Sequence, residues 1–116
     1  MVNKVILVGN LGKDPEVKHL EGGNMVANIT VATSEKYKNR DGEQVEETEW
    51  HNCSAWGKLA ELMEKYLQKG SKVYLEGKMK TRSYDTEDGQ TKYTTEVHVR
   101  EMKFLSSAPS NEGGIV

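Results

Sequence analysis

Trp50 and Trp56 lie six residues apart in the stretch TEWHNCSAWGK, with mostly small or polar residues between them. Side chains alternate across a β-strand, so an extended reading puts Trp50, Asn52, Ser54 and Trp56 on one face. His51, Cys53 and Ala55 then take the other. A dry core would leave the asparagine and serine groups unsatisfied, so the tryptophan face is expected to point outward. Exposed indoles offer flat π-surfaces for stacking, and Asn52 and Ser54 offer hydrogen bonds beside them. At about 3.3 Å per residue the Cα atoms of the two tryptophans stand roughly 20 Å apart, room for several stacked rings between them.

A second constellation combines aromatics with cations. In Lys72–Tyr84 the even positions are Lys72, Tyr74, Glu76, Lys78, Lys80, Arg82 and Tyr84, opposite the apolar Val73, Leu75, Gly77 and Met79. Phosphates call for cations and unpaired bases for π-faces, and interleaving the two along a groove holds single strands without sequence readout. Tyr37, within Lys36-Tyr37-Lys38-Asn39-Arg40, adds an aromatic on an arm that a core reaches with difficulty. Its parity matches the buried side of its strand, so turning it outward requires a twist or a bulge.

Catalytic and metal chemistry finds little support. His19, His51 and His98 fall in no ligand-spacing motif, and no metalloprotease, nucleophile-elbow or phosphate-loop pattern is present. Glu46-Glu47 and Asp85–Asp88 read as solvated acids on hairpin tips. The expectation is a non-enzyme without cofactor or metal.

The elements that would carry these faces follow from periodicity. Val2–Leu11 is apolar on both faces, and Gly9 and Gly12 mark a bend or a close backbone approach. Met25, Ala27, Ile29 and Val31 alternate with polar residues, which predicts a half-buried strand. Asp41-Gly42 predicts a hairpin turn, with Val45–Ala55 as the returning strand and Ser34–Glu47 as a long arm. Leu59, Leu62, Met63, Tyr66 and Leu67 predict a one-faced helix ending near Gly70. Lys72–Tyr84 and Tyr93–Phe104 predict two more strands around Asp88-Gly89. Three strands, a helix and two strands fit an all-β, five-stranded Greek-key barrel of the oligonucleotide/oligosaccharide-binding type (OB-fold), its one helix between strands 3 and 4. An open antiparallel sheet with one packed helix is the alternative.

The chain's 116 residues suit one domain, with 29% charged and 35% hydrophobic residues. Residues 1–105 are expected to fold and 106–116 (SSAPSNEGGIV) to form a disordered linker. The net charge of −2 gives no basic excess, but the charges are segregated. Lys69–Tyr84 holds five basic residues and one acid, Asp41–Glu49 five acids and no base. The single cysteine excludes an internal disulfide. With no membrane-span pattern and no signal-peptide pattern, a cytoplasmic protein is expected.

The segments VNKVILVGNLGKDPEV, VANITVATSE, TEWHN, WGKLAE, YLQKGSKVYLEGKMKTRSY and YTTEV resemble the bacterial-type single-stranded DNA-binding proteins, in order, over roughly Val2–Val99. The resemblance implies an OB-fold homotetramer that coats single-stranded DNA in replication, recombination and repair, on the nucleoid. It implies base stacking on Tyr37, Trp50, Trp56 and Tyr84. The first and last of these are commonly tryptophan in that family, and the third is often phenylalanine. It implies basic contacts from Lys4, Lys58, Lys69, Lys78, Lys80 and Arg82, and a subunit interface that includes His51. The apolar first strand adds Val2, Lys4, Ile6 and Val8 to that interface. Family members recruit replication and repair proteins through an acidic C-terminal tip with a terminal Pro-Phe; the given sequence ends in EGGIV without that pattern, and recruitment by that route is not inferred from it. An OB module for RNA or protein partners, or a metal-dependent nuclease, are the competing readings.

Overall fold

Strand alternation and one short helix account for the architecture of the chain, whose computed structural model describes residues 1–106. The elements run β1 (Val5–Leu11), β2 (Glu16–His19), a 3₁₀ turn (Glu21–Gly23), β3 (Met25–Lys38), β4 (Gln44–Trp56), α1 (Lys58–Tyr66), β5 (Lys72–Asp85) and β6 (Thr91–Ser106). Neighbouring strands hydrogen-bond in the order β1-β5-β6-β4-β3-β2. Asn10 and Leu11 of β1 also pair with Ala32 and Val31 of β3. That second pairing closes β1, β5, β6, β4 and β3 into a five-stranded barrel, the expected OB-fold. Closure brings backbones together at Gly9, where an added Cβ would collide with the Ala32 carbonyl.

The inward positions are those that alternation predicts. Ala27, Ile29 and Val31 of β3 pack with Cys53 and Ala55 of β4, Val73 and Leu75 of β5, and Val97 and Val99 of β6. Helix α1 follows the third barrel strand and closes one end with Ala60 and Met63, joined by Leu67. A continuous buried cluster of this kind supplies most of the fold's hydrophobic stabilisation.

Four expectations need correction. Strand β2 is additional, pairing Glu16–His19 antiparallel with β3 outside the barrel ring. Only Val17 among its residues packs against the core, too little periodicity to signal a strand. The helix stops at Tyr66, and Leu67, already extended, donates its N–H to the Met63 carbonyl. Gly70 lies beyond it in a turn, donating its N–H to the Leu11 carbonyl. On β5 the buried alternation ends at Gly77, and Met79 is exposed because the strand there leaves the barrel for its arm.

The two arms are regular hairpins. The β3–β4 register runs unbroken from Val26↔Trp56 to Lys38↔Gln44. At its tip the Asn39 Oδ1 accepts the Asp41 and Glu43 backbone N–H groups at 2.9 and 3.0 Å. The segment taken for a linker begins at Ser106, which still belongs to β6, and its remainder, 107–116, lies outside the described residues.

Candidate nucleic-acid interface

The outward face of β4 is assembled from cross-strand pairs with β3. Trp50 sits opposite Ala32, Asn52 opposite Thr30, Ser54 opposite Asn28 and Trp56 opposite Val26. Trp50 is 57% and Trp56 46% exposed, while Cys53 and Ala55 on the reverse face are buried. The expected division of faces is the one observed. Trp50 lies over Gly12, where an added Cβ would collide with its ring. A bare backbone at position 12 therefore makes the shelf on which this indole rests.

Parallel pairing of β4 with β6 extends the face. Cys53↔Val97 is the inward pair and Ser54↔His98 the outward one. Beyond β6, the β5 pairs Lys78↔His98, Lys80↔Glu96, Arg82↔Thr94 and Tyr84↔Lys92 continue the same side. By pairing parity Lys78, Lys80, Arg82 and Tyr84 of β5 fall on the same side as Trp50 and Trp56 of β4, with β6 between the two strands. The rest of the expected contacts lie elsewhere. Lys4 bonds Glu76 at 3.0 Å, Lys58 bonds Glu61 at 3.4 Å, and Lys69 precedes β5, its backbone N–H bound by Asp14. Tyr37 shares the parity of Ile29 and Val31, and the arm has no bulge to turn it over. It is exposed because the barrel interior has ended before it. The neighbouring Glu47 carboxylate holds its phenol above the usual range.

Glu96 is the centre of this surface. Its side chain is buried and receives three donors: the Ser54 hydroxyl at 3.1 Å, His98 Nε2 at 3.1 Å and Arg82 at 3.4 Å. Ser54 also donates to Asn28 Oδ1 at 2.7 Å. Ser54 is only 3% exposed, which corrects the expectation that its hydroxyl stands free beside the tryptophans. The objection to a buried polar group on this face fails because β6 supplies a partner for it. Asn52 remains exposed. Burial, with the Glu96 charge behind it, pushes the Cys53 thiol up to about 12.

Among the described residues, no group of three or more His, Cys, Asp and Glu side chains is arranged to hold a metal ion. No helix there is long and apolar enough to cross a membrane.

A family model described as the Single-strand binding protein family matches residues 2–105. The chain belongs to the Single-strand binding protein family. It is 47% identical over 113 residues to the single-stranded DNA-binding protein of Neisseria meningitidis serogroup A, covering 97% of this chain. It spans 65% of that relative's length. Among solved structures it is similar to the Plasmodium falciparum single-strand binding protein in complex with single-stranded DNA, at TM-score 0.84 and 34% identity. That alignment covers 91% of this chain and 97% of the other. A single-stranded DNA-binding protein from Thermus aquaticus aligns at TM-score 0.79 and 22% identity, covering 92% and 52%, and supports the fold.

Within this Single-strand binding protein family member, sequence reasoning passed over Asn28, Thr30, Thr94, Glu96 and His98. A signal for two of them was present. In Thr95–Val99 the inward Val97 and Val99 force Glu96 and His98 outward, onto the side of the β5 cations.

Proposed function

We propose that this protein binds single-stranded DNA with little sequence preference, by stacking bases on Trp50 and Trp56 and pairing phosphates with cations of β5. The observation that carries this reading is that two half-exposed indoles of β4 share a side of the sheet with Lys78, Lys80, Arg82 and Tyr84 of β5, across β6. Lys78 and Lys80 have no ion pair among the described residues, so their charge is available to a polyanion. Tyr37 at the arm and Lys4, Lys58 and Lys69 at the edges extend the path as the strand wraps. The complex with single-stranded DNA reported for the similar Plasmodium protein supports the choice of ligand.

The protein acts as a non-enzymatic coat on strands exposed in replication, recombination and repair, on the bacterial nucleoid. It does so as a homotetramer. Val2, just before β1, and Ile6 and Val8 on it leave apolar side chains exposed, a surface suited to a second copy. In this reading Lys4 and His51 join the interface, His51 being hydrogen-bonded to the Thr33 hydroxyl at 2.9 Å.

The test is retention of labelled oligo(dT), oligo(U) and duplex DNA in the presence of Mg²⁺, followed by intrinsic fluorescence. Tight retention and quenching by oligo(dT), with weak duplex binding and no degradation, is expected. Preference for oligo(U) would point to an RNA module, and loss of the oligonucleotide to a nuclease.

A further inference from the structure

The surface between the two tryptophans is hollow. The two middle rungs, Thr30–Asn52 and Asn28–Ser54, line a cavity of about 190 Å³ together with Thr94 and Glu96 of β6. Lys13 and Glu16, paired at 3.5 Å, also border it. The next same-face position along a strand is about 7 Å away, within the span of a nucleobase. A base stacked on either indole therefore brings an edge to this cavity.

Its chemistry is selective. A carboxylate only accepts hydrogen bonds, at about four lone-pair positions. Glu96 Oε1 receives His98 and part of the Ser54 hydroxyl's single proton, while among the described residues Oε2 receives only Arg82, at 3.4 Å. Acceptor capacity is left over. A buried anion in the middle of a groove for phosphates repels the backbone and rewards a donor. Among pyrimidines the exocyclic N4 amino group of cytosine is such a donor, and thymine places the O4 acceptor there instead.

We infer that this cavity is a base-edge site that takes the amino group of a cytosine stacked on a flanking tryptophan, with Glu96 as the acceptor. The inference rests on the single-stranded DNA reading and adds a base preference to an otherwise sequence-tolerant groove. Asn52 and Thr30 supply adaptable hydrogen bonds to the remaining edge, and Glu96 supplies the discrimination.

The experiment compares oligo(dC) with an oligomer of equal length built from 2-pyrimidinone deoxynucleosides, cytosine without its amino group. The wild-type protein is expected to bind oligo(dC) roughly fivefold more tightly per occupied cavity, the low end of what a good base-edge contact discriminates. Glu96→Gln, which keeps the shape and removes the charge, should shrink that ratio. Thr30→Leu, which fills the cavity from β3, should bring it to one. Equal wild-type affinity for the two oligomers overturns the inference while leaving single-strand binding intact. Absence of binding to either overturns the functional reading itself. A folded Thr30→Leu that discriminates as well as the wild type places amino recognition elsewhere and also overturns the inference. If Thr30→Leu does not fold, an unchanged ratio in Glu96→Gln has the same consequence.

Discussion

The indole of Trp56 meets the imidazole of His98 edge-on, with ring centroids 4.6 Å apart and planes at 69°. His98 is in turn held by Glu96, so one face of the indole system is braced from β6 while the ring stays half-exposed. Trp50 is braced differently, by lying over Gly12. Bracing by neighbours without engulfment is what a stacking platform needs, because the ring is pre-positioned and still accessible.

Trp50→Ala and Trp56→Ala are therefore expected to affect binding more than stability. A core tryptophan truncated to alanine costs about 3–5 kcal/mol, and each of these should cost clearly less because much of each ring faces solvent. Binding to oligo(dT) should weaken by about 1–3 kcal/mol per stacked base, a range measured on single-strand-binding OB-folds including this family. Thermal unfolding without DNA and equilibrium titration of each variant check this. A large drop in melting temperature with unchanged affinity would return the indoles to a structural role.

Lys80 and Arg82 should differ in their salt dependence. Each phosphate contact on a single strand contributes about −0.7 to the slope of log K against log salt concentration. Lys80→Ala should flatten the slope by about that amount. Arg82→Ala should flatten it less, because Glu96 already neutralises part of the Arg82 charge at 3.4 Å. Equal slopes for wild type and Lys80→Ala would remove Lys80 from the contact set.

Stability should carry a pH signature of the Lys4–Glu76 pair. Hydrogen bonds from Lys4 and then Tyr74 hold the Glu76 carboxyl below its ordinary 4.5. The Glu76 partner likewise holds Lys4 above its ordinary 10.5. A depressed carboxyl stabilises the fold above its unfolded value, and that contribution disappears as pH falls through the folded value. A raised amine stabilises below its unfolded value and loses that contribution as pH rises through the folded one. The difference between wild type and Glu76→Gln should be level across neutral pH and narrow below 4.5 and above 10.5. Chemical denaturation at a series of pH values measures it, and a difference that is flat throughout would dismiss the pair.

Cys53 should be inert in the native protein. Its thiol is buried between Ile29 and Val97 positions of the barrel and pushed up to about 12 by burial and the Glu96 charge. The thiolate is the reactive form, so alkylation at pH 8 should proceed at the rate of opening and accelerate strongly in denaturant. Rapid stoichiometric labelling of the native protein would contradict the burial.

Much of this molecule was legible residue by residue, and the reason is local. Strict alternation at Met25, Ala27, Ile29 and Val31 assigns the inner face of β3 before any partner is known, because period two is a property of one strand. The spacing of Leu59 and Met63 marks the helix face in the same way, and Asp41-Gly42 and Asp88-Gly89 mark the tips. Alternation put Trp50, Asn52 and Trp56 on one exposed face, although the buried Ser54 shows that polar content by itself did not require it. Only the tertiary structure decided what those polar residues touch. Ser54 and Glu96 stand 42 residues apart and meet because β6 lies parallel to β4, a pairing that neither strand's own pattern announces. The same holds for Gly12 beneath Trp50, a contact set by barrel closure, while Arg82 meets Glu96 through the register of the β5–β6 hairpin. Periodicity reports which way a side chain points. What waits there depends on which strand folds in beside it.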